Sequence, residues 1–480
     1  MTTAAALLRG GARGAAVLVL FAVSVLGVAY VSSEPTQLRA AVTVGLILVV
    51  AAVGIAWPQR LLYGIAGWLI VMGLVRRVLT LVAPSTGPDP LLLVEPAAVA
   101  LLLVVIAHRG PFRGRSALST CVALMSGIIA ISALNPAQGG LTVGVAGLLF
   151  LLVPTLGFWI GRSLCTDAVF ERLLKLVAAV ALPVAAYGLY QTFVGFPRWD
   201  ERWIVSVAQA YQALNVGAAV RPFSTLPSSA EYAYVLGVGL AVWLAFGLRV
   251  LRLPVTLAAV ALLGTGLVLE SSRLIVFLSA AALIAMAVSR LRISAPAAAV
   301  VVLLSFLATS AVVGRLAPDY YATNTTGALL SHQLQGLSNP FDATSTFFIH
   351  TSLVTNGLRS GIAHPAGLGA GTVSQAASRF GGVGRQSEAD PSNLAIAAGV
   401  PGLVTYLVLA TLAFVRAYSL ARIRRDALAL SALAITTIVF LQWFNGGQYG
   451  IALLLWITLG WIDRSWILQN AAKTQTRAPL

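Results

Sequence analysis

Long apolar runs alternate with short polar breaks along almost the whole chain. Crossing the hydrocarbon core takes about 20 predominantly apolar residues in a helix. The runs at 14–32, 40–56, 60–83, 90–107, 117–133, 141–161, 170–194, 230–248, 253–270, 273–289, 296–313, 394–415, 427–444 and 448–463 are candidate spans. The pattern predicts an all-α fold, a polytopic membrane helix bundle of about 12–14 transmembrane helices. The Arg76-Arg77 pair sits awkwardly inside the third run. The first run has no A-x-A-like site after it and reads as an uncleaved span rather than a signal peptide.

Two polar stretches break the pattern, 196–230 and the larger 314–392. The other breaks are short, as in SSEP at 32–35, NPAQGG at 135–140 and ESSR at 270–273. A helix bundle has no structural need for a segment like 314–392, whereas binding loops of a membrane enzyme sit outside the lipid. Within it, Phe347, Leu353, Val354 and Leu358 fall at helical spacing and predict an amphipathic helix along the membrane surface. HPAGLGAGTVSQAASRF then predicts a glycine turn leading into a second short helix. Gly367, Gly369 and Gly371 permit positive φ or close approach of backbone to a ligand. Their spacing is not that of a dinucleotide-binding loop. No inverted repeat is evident, which weighs against many transporter folds. No low-complexity linker divides the chain, so one integral membrane domain over 1–480 is expected.

Composition agrees: 59% hydrophobic and 10% charged residues exclude a soluble globular protein. The net charge of +16 would suggest nucleic acid, but topology accounts for it. With the N-terminus inside, the inner loops hold Arg9, Arg13, Arg109, Arg113, Arg115 and most other basic residues. Of the 15 acids they hold only Asp167, Glu171, Asp426 and Asp463. This is positive-inside bias, which sets orientation. It predicts both termini in the cytoplasm, 314–392 outside, and no nucleic-acid partner. Cys121 and Cys165 imply neither a disulfide framework nor a metal cluster.

Several polar residues at the outer ends of spans are candidates for chemistry. Arg273, in LESSRLIVF, has two readings: an interfacial arginine paired with Glu270, or a phosphate ligand whose guanidinium fork matches phosphate oxygens. Arg221 precedes the span begun by Ser228 and Ser229, which look like an N-cap. It reads as a loop arginine paired with Glu231, or as half of an anion site with that helix N-terminus. Asp390 is a candidate helix cap, and Glu388 beside Arg385 a candidate general base. His332, His350 and His364 match no local metal motif. His350, His364, Arg359, Gly369 and Gly371 are candidates for lining the site. Glu95 is expected to pair with Arg76 or Arg77, and Asn324 opens a sequon that arises often by chance.

Four pieces, together covering roughly 135–410, carry a family resemblance: ALNPAQGGLTVGVAGLLFLLVPTLGFWIGRS, VRPFSTLPSSAEYAYVL, ESSRLIVFLSAAAL, and IAHPAGLGAGTVSQA with SEADPSNLAIAAGVPGLVTYL. The chain resembles the bacterial O-antigen ligase and polymerase superfamily of polytopic membrane glycosyltransferases. The likeness lies in an Asn-Pro turn before a span ending Gly-Arg, an arginine before a span, a T-x-S-R-like segment, and a Gly-x-Gly turn ahead of a G-x-x-G-L helix. One departure stands out. Ligases of this family commonly carry a His-Asn pair eleven residues before the first glycine of that last helix, where this chain has Glu388 and Ala389. The resemblance implies a multi-pass protein of the bacterial cytoplasmic membrane that moves a glycan from polyprenyl diphosphate to an acceptor hydroxyl at the outer face, with inversion. Arg221, Arg273 and Arg385 would hold the donor diphosphate, Glu388 would serve as base with Asp390 beside it, and no metal or other cofactor is expected. Its partners would be the lipid-linked glycan donor, a glycan or glycolipid acceptor, and the bilayer. Two alternatives stay open: a flippase or other polysaccharide transporter, and a glycosyltransferase using a monophosphate-linked sugar, although the first outer loop is short for the latter.

Overall fold

Every expected span that falls on described residues is a helix. The computed structural model describes residues 35–83, 89–207, 214–247, 253–291, 325–338, 347–385, 387–444 and 449–475, with isolated positions between 19 and 27 and between 293 and 308. Apart from those isolated positions, the expected spans 14–32 and 296–313, residues 314–324 with Asn324, and Arg9, Arg13, Arg249, Arg252 and Arg292 lie outside the described residues.

In chain order the helices are α1 (Pro35–Ala56), α2 (Pro58–Thr80), α3 (Val94–Arg109), α4 (Ala117–Ser132), α5 (Leu141–Leu164), α6 (Asp167–Phe193), α7 (Arg198–Val207), α8 (Ser229–Gly247), α9 (Leu253–Glu270), α10 (Arg273–Arg290), α11 (Thr325–Ser338), α12 (Phe347–Ala363), α13 (Gln375–Arg379), α14 (Asp390–Arg424), α15 (Ala427–Ile438) and α16 (Tyr449–Gln475). A two-residue hairpin, β1 (Asn215–Val216) and β2 (Ala219–Val220), is the only sheet among the described residues. Among the described residues ten helices are long and apolar enough to cross a membrane, and α4 and α15 are shorter apolar helices. Local chemistry fixes their starts: Ser116 and Ser119 form a capping box at α4, Thr166 caps α6, and Asp426 caps α15. The Ser228 hydroxyl accepts from the Glu231 N–H at 3.3 Å at the start of α8.

The described chain forms two compact units. The first comprises residues 1–111, 196–211 and 225–227. It explains the arginine pair inside the third run. Asp89 accepts from Arg39 and from Arg76 Nε at 2.8 Å, and Arg77 Nε pairs with Asp200 at 2.7 Å with both side chains fully buried. Burial alone would raise the Asp89 carboxyl, but Arg76 and Arg39 beside it hold it below its ordinary range. Asp89 and Asp200, which the sequence places in separate breaks, are thus brought to these arginines by the fold.

The second unit comprises 112–195, 212–224 and 228–480. Its tightest seam is α5 against α16. A Cβ on Gly157 or Gly161 would collide with Leu453 or Ile457, and one on Gly460 with the Phe158 carbonyl. Small residues four apart let helix backbones close up in this way. At the end of that seam Asp463 binds Arg162 Nε at 2.8 Å and also Arg416.

The long polar stretch is stitched onto a break in α14. Pro401 has no N–H, so the Ala397 carbonyl loses its helical donor. Gly399 has φ 66° and departs from helical geometry. The loop takes up the released groups: Leu368 N donates to Ile396 O at 2.8 Å, Gly369 N to Ala397 O at 2.9 Å, and Val400 N to Pro365 O at 3.1 Å. A non-helical turn at membrane depth requires such partners. Gly367 and Gly399 both have positive φ, and a Cβ on either would strike the facing backbone, so glycine is required at both.

Asp390 has a different role from the expected helix cap. Its buried carboxylate accepts backbone N–H groups from Trp443 and, at 3.0 Å, Phe444, while its own N–H donates to Leu441 O at 2.8 Å. It therefore pins the turn after α15 to the start of α14. Asp390→Asn replaces one acceptor oxygen with a donor facing an N–H, and a buried group left unsatisfied costs about 1–3 kcal/mol. The variant should melt below wild type in detergent. An unchanged thermal midpoint would remove this pinning role.

Candidate functional site

ESSR, read as a short turn, is built around a buried acid. Glu270 ends α9 with its carboxylate fully buried; one oxygen accepts from Arg221 Nη2 at 2.7 Å and the other from Ser272 N at 2.9 Å. Arg221 Nε also reaches the Glu270 carbonyl at 2.9 Å. Ser271 adopts φ 69°, a left-handed conformation unusual for serine, and its hydroxyl donates to Leu329 O at 3.0 Å. The turn thus places Arg273 as the first residue of α10, beneath α11. The partners differ from the expected ones: Glu270 pairs with Arg221 rather than Arg273, and the Glu231 carboxylate accepts from Gly450 N at 2.8 Å.

Arg273 is half-buried and, among the described residues, has no carboxylate partner. Its Nη2 donates to the His332 carbonyl at 2.8 Å and lies 3.1 Å from His332 Nδ1. Arginine only donates, so Nδ1 is the acceptor and the imidazole proton sits on Nε2. Burial, then the nearby Arg273 and Arg221 cations, push the His332 pKa down to about 4. The ring is neutral at physiological pH and able to hold a guanidinium. Four residues on from His332, one helical turn away, Gly336 faces the same arginine. A Cβ there would overlap the Arg273 guanidinium. Gly336→Ala should displace Arg273 without removing its charge. A displacement of this kind can lower turnover on the order of 10²-fold. Wild-type turnover in a folded Gly336→Ala protein would show that Arg273's position is immaterial.

His350 on α12 lies 3.3 Å through Nδ1 from Glu388 Oε2, and both side chains are about half exposed. The hydrogen bond and charge of Glu388 raise the His350 pKa against opposing burial and the Arg273 cation. Arg273 is therefore within electrostatic reach of this pair. The backbone fixes the pair's position: Ser387 Oγ donates to Leu353 O at 2.9 Å, Ser387 N to Asn393 Oδ1 at 2.8 Å, and Gln442 Nε2 to the Glu388 carbonyl at 2.6 Å. Along α12, Gly357 and Gly361 bring the helix against Ser392 and Ala395 of α14. The expected amphipathic helix thus exists and packs on a span.

The structure brings together Arg221, Glu270, Arg273, His332, His350 and Glu388, all in the second unit. Other expected site residues fall elsewhere. Gly369 and Gly371 are buried at a junction where their N–H groups go to Ala397 O and to Gln138 Oε1 at 3.0 Å. They serve the loop's anchorage on the NPAQGG turn, where Asn135 Nδ2 also donates to Gly367 O at 2.8 Å. Arg359, His364 and Arg385 are exposed; His364 Nδ1 turns back to Ser360 O at 3.0 Å, and Arg385 N donates to Thr372 O at 2.7 Å. His332 is the member most poorly signalled by sequence, since its spacing matches no metal motif and it lies far from Arg273 along the chain. Its cue is the His-x-x-x-Gly spacing that opens one helix face to an arginine.

No protein-family model matches the chain, and no curated protein or solved structure matches it.

Proposed function

We propose that the protein is a membrane glycosyltransferase moving a glycan from polyprenyl diphosphate to an acceptor hydroxyl at the outer face of a bacterial cytoplasmic membrane. The observation that carries this reading is Arg273. It is a half-buried cation, held by a neutral histidine, beside a second arginine and without a carboxylate partner among the described residues. Burying a charge without a counter-ion is costly, and an anionic diphosphate would supply one. The resemblance of the four sequence pieces to O-antigen ligases and polymerases points the same way.

In this scheme Arg273, with Arg221 oriented by Glu270, binds the diphosphate and stabilises the charge that grows on it as the glycosidic bond breaks. Glu388 holds His350 with Nδ1–H toward the carboxylate, leaving the Nε2 lone pair as proton acceptor. Nε2 takes the acceptor hydroxyl proton. The hydroxyl oxygen bonds to the anomeric carbon, and polyprenyl diphosphate leaves with the electron pair of the broken bond, inverting the centre. The acid at the position where ligases carry histidine thus acts through a histidine from another helix.

The break in α14 favours one second reading, since transporters often bind substrate at interrupted helices. Here the freed carbonyls of Ile396 and Ala397 are occupied by Leu368 and Gly369, which favours the transferase. Sealed proteoliposomes loaded with purified lipid-linked glycan and acceptor separate the two. The transferase consumes donor and forms a longer glycan. Donor moved between leaflets without consumption would establish the transporter instead.

A further inference from the structure

A cleft of about 560 Å³ lies at the C-terminal end of α14, lined by Ser419, Arg422, Ile423, Arg425 and Trp466. It is remote in sequence and in fold from the Arg273 cluster, which sits at the start of α10 and beneath α11. Three observations point to an anion there. Two neighbouring arginines are committed to acids, Arg416 to Asp463, and Arg424 to Asp167 and Asp426 at 2.8 and 2.7 Å, while Arg422 lies over the Tyr418 ring. Arg425 instead reaches only carbonyls in its hydrogen bonds, Arg422 O at 3.3 Å and Arg290 O at 3.4 Å. Those are two bonds from a group with five donors.

The backbone adds the second observation. Arg425 follows the last turn of α14 with φ 54° and ψ 16°. That left-handed position after a helix is the usual place of glycine, because a Cβ is unfavourable there. Placing an arginine at it sacrifices stability for a guanidinium at the cleft. The third observation is the setting. The apolar stretch of α14 ends at Arg424, and α16, which carries Trp466, also has membrane-spanning length and composition. Trp beside exposed Ile423 and a pair of arginines is the composition found where spans meet lipid headgroups.

We propose that this cleft binds the phosphate headgroup of an anionic phospholipid, with Arg422 and Arg425 on the phosphate and Trp466 and Ile423 against the glycerol and upper acyl chain. A lipid, unlike a free phosphate ion, uses both the charged and the apolar walls. Basic pockets between spans take acidic headgroups in this way.

The test uses the full-length protein, delipidated in detergent and titrated with phosphatidylglycerol while native mass spectrometry counts bound lipid. The comparison variants are Arg422→Gln with Arg425→Gly, and Arg379→Gln on α13 as a control that removes an arginine away from the cleft. Glycine suits the backbone at 425, so the double variant should fold at least as well as wild type, checked by its thermal midpoint. With two arginines lost near the headgroup, affinity for phosphatidylglycerol should fall about tenfold to thirtyfold. The Arg379 control should bind as wild type, phosphatidylcholine should bind weakly to all three, and excess inorganic phosphate should not displace the lipid. Unchanged affinity in the folded double variant would overturn the site. Displacement by inorganic phosphate, or equal binding of phosphatidylcholine, would overturn the lipid assignment.

Discussion

Arg273→Ala is expected to lower glycan transfer by on the order of 10²–10³-fold, the usual cost of removing one preorganised donor from a transition-state anion. The protein should remain folded, because Arg273 bonds only His332 among its hydrogen-bond partners, through the carbonyl and the ring, and removing it leaves no buried carboxylate unpaired. Arg273→Lys should recover little, since an ammonium cannot reproduce the planar fork that bridges Nδ1, a carbonyl and phosphate oxygens. Arg221 behaves differently. Its alanine variant strands the fully buried Glu270 carboxylate, and breaking one side of a buried ion pair costs about 3–5 kcal/mol. Loss of activity there mixes folding with chemistry. Arg221→Ala combined with Glu270→Gln should restore the thermal midpoint without restoring turnover. If Arg273→Ala transfers glycan at the wild-type rate, the diphosphate assignment fails.

The second large effect belongs to His350. His350→Gln should reduce turnover by on the order of 10²–10⁴-fold, as expected for loss of a general base. The base must be neutral to accept a proton. Because Glu388 raises the His350 pKa, wild-type activity should fall on the acid side through a midpoint above the ordinary imidazole value of about 6.5. Glu388→Gln removes the carboxylate that favours the imidazolium. Its acid limb should move to lower pH even as the maximal rate drops, because the ring is no longer held in one tautomer. A pH–rate profile of both variants decides the division of labour. An active His350→Gln beside an inactive Glu388→Gln would make the glutamate itself the base.

Much of the architecture was legible because it depends on local quantities. Apolar run length alone located α1 through α6, α8 through α10 and α14 through α16, although α14 and α16 run well past the ends of the expected spans 394–415 and 448–463. The prolines and glycines of HPAGLGAG announced irregular backbone, whereas the break at Gly399 falls inside the expected span 394–415. Pairing was not legible, because partners lie far apart in sequence. ESSR and VRPF each show an arginine near an acid in sequence, so nearest-neighbour reasoning offers Glu270 as the partner of Arg273 and Glu231 as the partner of Arg221, beside the reading of each arginine as an anion ligand. The fold joins Arg221 to Glu270 and gives Glu231 a backbone N–H. Asp390 was misread for a related reason. An acid at the start of a helix normally serves that helix, whereas here it serves the turn at Trp443 and Phe444. Glu388 was singled out by its place relative to Gly399, but its partner His350 lies on α12, on the far side of the glycine turn. The stitching of 365–369 onto the broken helix, together with the packing of Gly357 and Gly361 on α14, fixes where α12 sits, and the stitching depends on carbonyls released at the break before Pro401.

The central claim is that this protein cleaves the bond between a glycan and polyprenyl diphosphate. Phosphorus NMR of the purified protein in detergent, incubated with lipid-linked glycan and acceptor, reads that bond directly. There are no compartments in detergent, so transport produces no signal. The account predicts that the paired resonances of the donor diphosphate diester are replaced by those of a terminal diphosphate, and that Arg273→Ala slows the conversion. Donor resonances that stay unchanged with folded wild-type protein, while the donor is shown to bind, would contradict it.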